Sequence, residues 1–342
     1  MASLTQRELV VALAIPVFAV VVDGIAYVLD RPFLANSIYL ALMYALAGLA
    51  WNILAGFTGL VSFGHAVFFG LGAYAAMMVM LQGFPAILGI LAAGGIGLLA
   101  GVLLAPIWLR LKSHWFTLAT IATSEILKLS FIVWPAVGGA SGLQAPIAEP
   151  GKELYYLYFR GAYLYVPIVA VLTVIEVVVL WSILRGPAGY KLQAIREDED
   201  AAMALAINPF KYKLLALALS GFFTGLAGSL YTIRYRFIDP FTVFDIISVS
   251  TYIALVGIVG GIYTFVGPLV GSFIVVPVAE YVRSTLMSVA SRYAALHGVV
   301  LGAILLTVSL MAPEGVVERL RSKLATWSKM VGVVRGWVVE KS

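Results

Sequence analysis

The chain has 342 residues, of which 62% are hydrophobic and 11% charged, with a formal net charge of +5 and a mean hydropathy of +1.01. Soluble domains are about 45–50% apolar and about 25% charged, and disordered chains combine low hydrophobicity with high charge, so both classes are excluded. There is no cysteine, which removes disulfides, thiolate nucleophiles and Cys-ligated metals, and the three histidines, His65, His114 and His297, are too far apart in sequence to share a helix face.

A helix needs about 20 mainly apolar residues to cross a bilayer, and the apolar runs predict about ten crossings, centred near residues 19, 44, 72, 98, 125, 174, 223, 254, 274 and 303. The expected fold class is an all-α polytopic membrane protein. The first run follows Arg7-Glu8. It stays apolar too long for a signal peptide and lacks a small-residue cleavage site, so it reads as a retained helix.

The second and third runs are joined by Asn52 to His65, an uncharged stretch interrupted by Gly56, Gly59 and Gly64. Such a joint reads as backbone that breaks a helix at membrane depth, tolerated only where it is buried or lines a cavity. Two readings of its polar groups stand. His65 is a buried imidazole satisfied by a backbone carbonyl, or Ser62, Gly64 and the amides that follow offer donors to a substrate carboxylate, as broken helices do. In the fifth run Glu125 and Lys128 are three apart on one helix face, where they either neutralise each other or face a pathway. Asp23, Glu176 and Glu280 also fall within or near apolar runs; each is placed by structure or by a span end, or has a function.

Two long stretches are not apolar. Residues 136–162 contain Gly138-Gly139-Ala140-Ser141-Gly142 and end in a tyrosine-rich cluster suited to the headgroup belt. Residues 185–213 are the most polar part of the chain. Within them, Ala201 to Ala206 are mostly strong helix formers, with acids ahead of them where the helix dipole favours negative charge. Asn208-Pro209 then stops the helix. This short helix either lies in a groove on another protein or belongs to a solvated loop. A second uncharged, Gly-interrupted joint, Val259 to Pro268 with Gly260-Gly261, separates the eighth and ninth runs. Two such joints, one in each half, point to a transport path built from repeats.

Lys and Arg place both termini inside. With ten crossings, the inside segments hold Arg7, Arg110, Lys112, Arg185, Lys191, Arg196, Lys211, Lys213 and the basic residues after Pro313, twice as many as the outside loops. Because the basic residues are spread over separate loops, no nucleic-acid partner is expected. Residues 316–342 carry apolar positions at alternating spacings of three and four with basic residues off the stripe. They read as a basic amphipathic helix that lies on the inner leaflet or packs on a partner.

Several segments resemble one family. Ala194-Ile195-Arg196-Glu197, then Ala201-Ala202, Ile207-Asn208 and Lys211-Tyr212-Lys213, are similar to the cytoplasmic coupling segment of ABC importer permeases of the branched-chain amino-acid family. Gly59-Leu60-Val61-Ser62-Phe63-Gly64-His65-Ala66 resembles the same family, as do Thr123 to Lys128, Gly138 to Leu143, and Gly260-Gly261 through Gly271. The similarity runs in order over roughly residues 35–315 and is greatest to the longer, LivM-type subunit. Ala206 stands where the family usually has Gly, a change that costs little in a helix, and Glu314 stands where an Arg is common.

The resemblance implies a permease that translocates leucine, isoleucine and valine across the cytoplasmic (inner) membrane by alternating access. It would work with a homologous second permease subunit, two cytoplasmic ATP-binding subunits, an external solute-binding protein and the lipid bilayer, without a cofactor. Residues 1–315 would form the transmembrane domain, with coupling to the ATPases through Arg196, Glu197, Ala201, Ala202, Ala206 and Asn208. The substrate pathway would involve Gly59, Ser62, Gly64, His65, Glu125, Gly139, Ser141, Gly260 and Gly261. The chain has no phosphate-binding Gly-x-x-x-x-Gly-Lys-[Ser/Thr] loop. ATP chemistry is therefore expected on separate subunits, and no catalytic or metal-binding residue is assigned. The alternatives are an ABC permease for urea or short amides, or a proton-coupled secondary transporter using Glu125, Lys128, Asp23 and Glu280.

Overall fold

The computed structural model describes residues 6–146, 150–289, 299, 302–303, 306–307 and 314–322. The order of helices is α1 (Gln6–Val28), α2 (Pro32–Thr58), α3 (His65–Leu81), α4 (Ala86–Trp108), α5 (Ser113–Ile132), α6 (Val166–Arg185), α7 (Pro187–Glu197), α8 (Glu199–Ala204), α9 (Pro209–Tyr235), α10 (Pro240–Val243), α11 (Tyr252–Gly260) and α12 (Gly267–Val289). A π-helical turn, Ile246–Thr251, leads into α11. Strands β1 (Leu143–Gln144) and β2 (Phe237–Ile238) pair antiparallel, Leu143 opposite Ile238.

Each predicted crossing up to the ninth falls on a helix, and among the described residues seven are long and apolar enough to span a bilayer. The eighth is composite: α10, the π turn and α11 together make the span Pro240–Gly260. The third is short. At 17 residues, α3 reaches about 26 Å against about 30 Å of hydrocarbon, and the depth of its start accounts for the difference. The tenth crossing lies largely outside the described residues. Of the amphipathic tail, 316–322 are helical and the remainder falls outside the described residues.

Helix α2 is apolar all round and buried almost end to end, the signature of a central helix. It is surrounded by α1, α6, α9, α11 and α12. By contrast, α1 exposes Val10, Val17, Phe18, Val21 and Ile25, a face suited to lipid. On the other flank α4, α9 and α3 pack through small residues. A Cβ on Gly97 would sit 2.1 Å from the Gly221 carbonyl, and one on Gly225 would sit 2.4 Å from that of Ala93. Backbone meets backbone there, as small-residue faces allow within a membrane.

The connecting segments gather at two ends. At one, Arg321 pairs with Glu8 at 3.3 Å, and Arg196 reaches the C-terminal turn of α2. At the other, the Tyr27 and Tyr163 rings stand 5.2 Å apart, the Tyr155 hydroxyl donates to the Gly83 carbonyl, and β1 meets β2. Segments expected inside thus share one end and segments expected outside share the other, as an even alternation of crossings requires.

Candidate functional site

Helix α2 ends because Gly59 takes a left-handed conformation, φ +76°, and its amide and that of Leu60 return to the Ala55 and Leu54 carbonyls. This is the left-handed (αL) cap that glycine makes available at low cost. The chain does not leave the bundle there. It turns back alongside α2, where the Trp51 indole N–H donates to the Ser62 carbonyl at 2.7 Å. From α5, the Thr117 hydroxyl donates to the Val61 carbonyl and the Phe63 amide donates to the Thr120 hydroxyl. Trp51 lies seven residues before the end of α2, so α3 begins about 10 Å below that end. This is a helix break at depth, and its polar backbone is bonded to neighbouring helices, as burial demands.

The imidazole of His65 is fully buried. It is held between two hydroxyls, Ser62 Oγ at 3.2 Å from Nδ1 and Ser220 Oγ of α9 at 2.8 Å from Nε2. Hydroxyls, not a backbone carbonyl, satisfy it. Three amides around the start of α3 are also occupied: Gly64 donates to Ser62 Oγ, Ala66 to Ser250 Oγ beside α11, and Val67 to the Gly64 carbonyl. The break therefore binds α3, α5, α9 and the π turn into one polar knot. Thr120, Ser220 and Ser250 complete that knot, and each stands in an apolar run where a lone hydroxyl carries little signal.

The polar stretch between α6 and α9 folds as two short helices. Asp198 caps α8 by accepting from the Asp200 and Ala201 amides, and Asn208 caps α9 by accepting from the Lys211 amide. Lys213 of α9 pairs with Glu199 at 2.6 Å, which fixes α8 against α9. Ala202 is buried against its own chain, whereas Ala201, Met203 and Leu205 are exposed. Ala206 is not in a helix: it follows α8 at φ +59°. The missing glycine at that position therefore costs more than the sequence suggested, because a side chain is strained there.

Arg196, in the last turn of α7, joins this segment to both breaks. Its side chain is only 9% exposed. Nη1 donates to the Gly56 carbonyl at 2.7 Å, Nη2 pairs with Glu197 at 2.6 Å, and the guanidinium lies 5.0 Å from the centre of the Tyr263 ring. A cation on the last carbonyls of α2 is favoured by the helix dipole, and a charge-assisted bond of this kind contributes about 1.5–3 kcal/mol. Tyr263 belongs to the second break, residues 261–266, which is tied to α2 by Asn52 Nδ2 donating to the Thr264 carbonyl at 2.9 Å. The break is tight: a Cβ on Gly260 would lie 1.8 Å from the Gly267 carbonyl, and Gly261 sits at φ +128°. A cavity of about 610 Å³ opens beside Arg196, walled by Phe57, Tyr263, Glu318 and Arg321.

The other candidates lie apart from this cluster. Gly139 and Ser141 form a 3₁₀ turn at the opposite end, beside the β1–β2 pair. Nearby, Arg236 donates to the Pro146 carbonyl and faces the Tyr158 ring. Burial pulls its guanidinium below the ordinary value, and Tyr165, Tyr158 and Tyr156 offset part of that. Glu125 pairs with Lys128 at 2.6 Å with its side chain 40% exposed. Asp23 and Glu176 are buried. The described residues contain no group of three or more His, Cys, Asp or Glu able to hold a metal ion.

Residues 33–309 match the family described as the permease component of branched-chain amino acid transport systems. The high-affinity branched-chain amino acid transport system permease protein LivM of Escherichia coli is 27% identical over 312 residues, covering 83% of this chain and 70% of its own length. Its counterpart in Salmonella typhimurium is 26% identical over 310 residues, with the same coverage. The ribose import permease protein RbsC of Bacillus subtilis is 27% identical over 163 residues, 46% of this chain and 48% of its own. No solved structure matches the chain at a significant level.

Proposed function

This chain belongs to the family of permease components of branched-chain amino acid transport systems, and we propose that it forms one permease half of an ATP-driven importer of leucine, isoleucine and valine. In this reading it pairs with a homologous permease in the cytoplasmic membrane, with both termini on the cytoplasmic side. Two ATPase subunits dock on α7–α8, and an external binding protein delivers solute to the β1–β2 end. Branched-chain amino acids are favoured over sugars because the similarity to the LivM proteins extends over 83% of the chain and that to the ribose and L-arabinose permeases over 46% and 64%.

The observation that carries the reading is the placement of Arg196. One buried guanidinium holds the end of α2 and stacks on the loop of the second break. Movement of α7–α8 by an ATPase therefore reaches both breaks at once, and alternating access needs such a connection. In proteoliposomes containing the co-purified complex and its binding protein, the wild-type chain is expected to take up leucine with ATP and to be insensitive to a protonophore. Arg196→Ala is expected to keep ATP hydrolysis and lose at least about tenfold in uptake, the loss of one such bond. Uptake that collapses with the protonophore, or that is unchanged in the variant, overturns the reading.

A further inference from the structure

Two ion pairs of the same kind lie on long helices: Glu125–Lys128 on α5 and Glu280–Arg283 on α12, both three residues apart. The first borders neither the cavity beside Arg196 nor the one beside the second pair. The second borders a cavity of about 240 Å³ between α2, α3, α9, the π turn and α12. That volume equals about eight waters at their liquid share of about 30 Å³, the scale of one small solute. Glu280 lies thirteen residues into α12, about 20 Å from the Arg196 end, so the cavity sits toward the end where solute would arrive.

The cavity combines one pair of opposite charges with aromatic walls. Arg283 grips Glu280 with both arms of its fork, Nε to Oε1 at 3.1 Å and Nη2 to Oε2 at 2.7 Å. Tyr44, Tyr231, Tyr235 and Tyr252 surround the pair, and Leu40 and Phe69 add apolar surface. The Tyr44 hydroxyl donates to the Ser248 carbonyl of the π turn at 3.1 Å, and irregular turns of this type concentrate at functional positions.

We propose that this cavity is a subsite for a zwitterionic amino acid with an apolar side chain, with Arg283 taking the α-carboxylate, Glu280 the α-ammonium, and the aromatic walls the side chain. The proposal rests on the transport reading above and specifies its substrate class. A guanidinium fork matches a carboxylate with two parallel hydrogen bonds. Glu280 is 12% and Arg283 43% exposed, and opening such a partly buried pair is costly chiefly when the Glu280 charge is left alone. A zwitterion leaves neither alone, because each half of the broken pair receives a new partner. A sugar, urea or a short amide has no charges to exchange, so the closed pair excludes it.

The test uses the assembled transporter in nanodiscs without its binding protein, so that any binding belongs to the membrane complex. Saturation-transfer NMR is run with L-leucine, with isocaproate, which lacks the ammonium, and with isocaproamide, which lacks both charges. Leucine is expected to bind at least about tenfold more tightly than either analogue. Glu280→Gln and Arg283→Met are each expected to weaken leucine by a similar factor and to leave isocaproamide unchanged. Arg283→Lys, which keeps the charge but loses the fork, should bind leucine more tightly than Arg283→Met and less tightly than the wild type, and show that the fold persists. Equal binding of leucine and isocaproamide, or variants that bind leucine as the wild type does, overturns the subsite. The transport reading is judged separately by ATP-driven leucine uptake of the wild-type complex with its binding protein. Uptake without charge-dependent binding leaves that reading standing and removes this one.

Discussion

Ala206 holds a left-handed backbone at φ +59° between α8 and the Asn208 cap. A Cβ in that conformation costs about 1–2 kcal/mol, while glycine gives back part of the difference through its freer unfolded chain. Ala206→Gly is therefore expected to stabilise the protein by about 0.5–1 kcal/mol, read as a higher thermal midpoint in detergent, with uptake unchanged. His65 works in the opposite direction. Its ring fills the space between Ser62 and Ser220, so His65→Ala leaves both hydroxyls facing a void. The expected loss is about 2–5 kcal/mol by analogy with other large-to-small core changes, larger than for His65→Gln, which can still reach one hydroxyl. A thermal midpoint for His65→Ala equal to that of the wild type would contradict the polar knot described for the break.

Helix α8 separates two substitutions that look alike in sequence. Ala202 is buried against the chain itself, and Leu205, just past the helix, is 76% exposed. Ala202→Asp is expected to loosen α8 and lower the thermal midpoint, because it buries an unpaired carboxylate. Leu205→Asp should leave the midpoint within about 0.5 kcal/mol of wild type, as surface changes usually do, and lower only the ATPase subunits' retention on a co-purification column.

Most spans were legible because apolar length alone identifies them. The breaks were legible as well, because uncharged glycine-rich joints have few other uses inside a membrane. The π turn was not, since Ser248, Ser250 and Thr251 among apolar neighbours occur equally in ordinary membrane helices. The shortness of α3 became visible only through Trp51, Thr117 and Thr120, which hold the loop at depth. Arg196 was recognisable as part of a motif, but its acceptor, Gly56, is 140 residues away, and no local pattern encodes such a pair.

For the entire chain, the alternation of crossings places Ser141 at the β1–β2 end and Met203 at the Arg196 end. Both are exposed, and the chain has no native cysteine to interfere. In intact cells or right-side-out vesicles, Ser141→Cys is expected to react with a membrane-impermeant maleimide. Met203→Cys is expected to react only after permeabilisation. The reverse pattern would invert the orientation and place the face proposed for ATPase docking outside, which no intracellular nucleotide could serve.

Because Arg196 touches both breaks, the linkage between α7–α8 and the transmembrane helices cannot run one way. If nucleotide-driven movement of α7–α8 changes the affinity of the transmembrane helices for solute by some factor, bound solute must change nucleotide affinity by the same factor. A loaded permease would then report its cargo to the ATPases through one guanidinium before any turnover, and an empty one would hold them idle. Fuel economy and transport would be set by the same side chain.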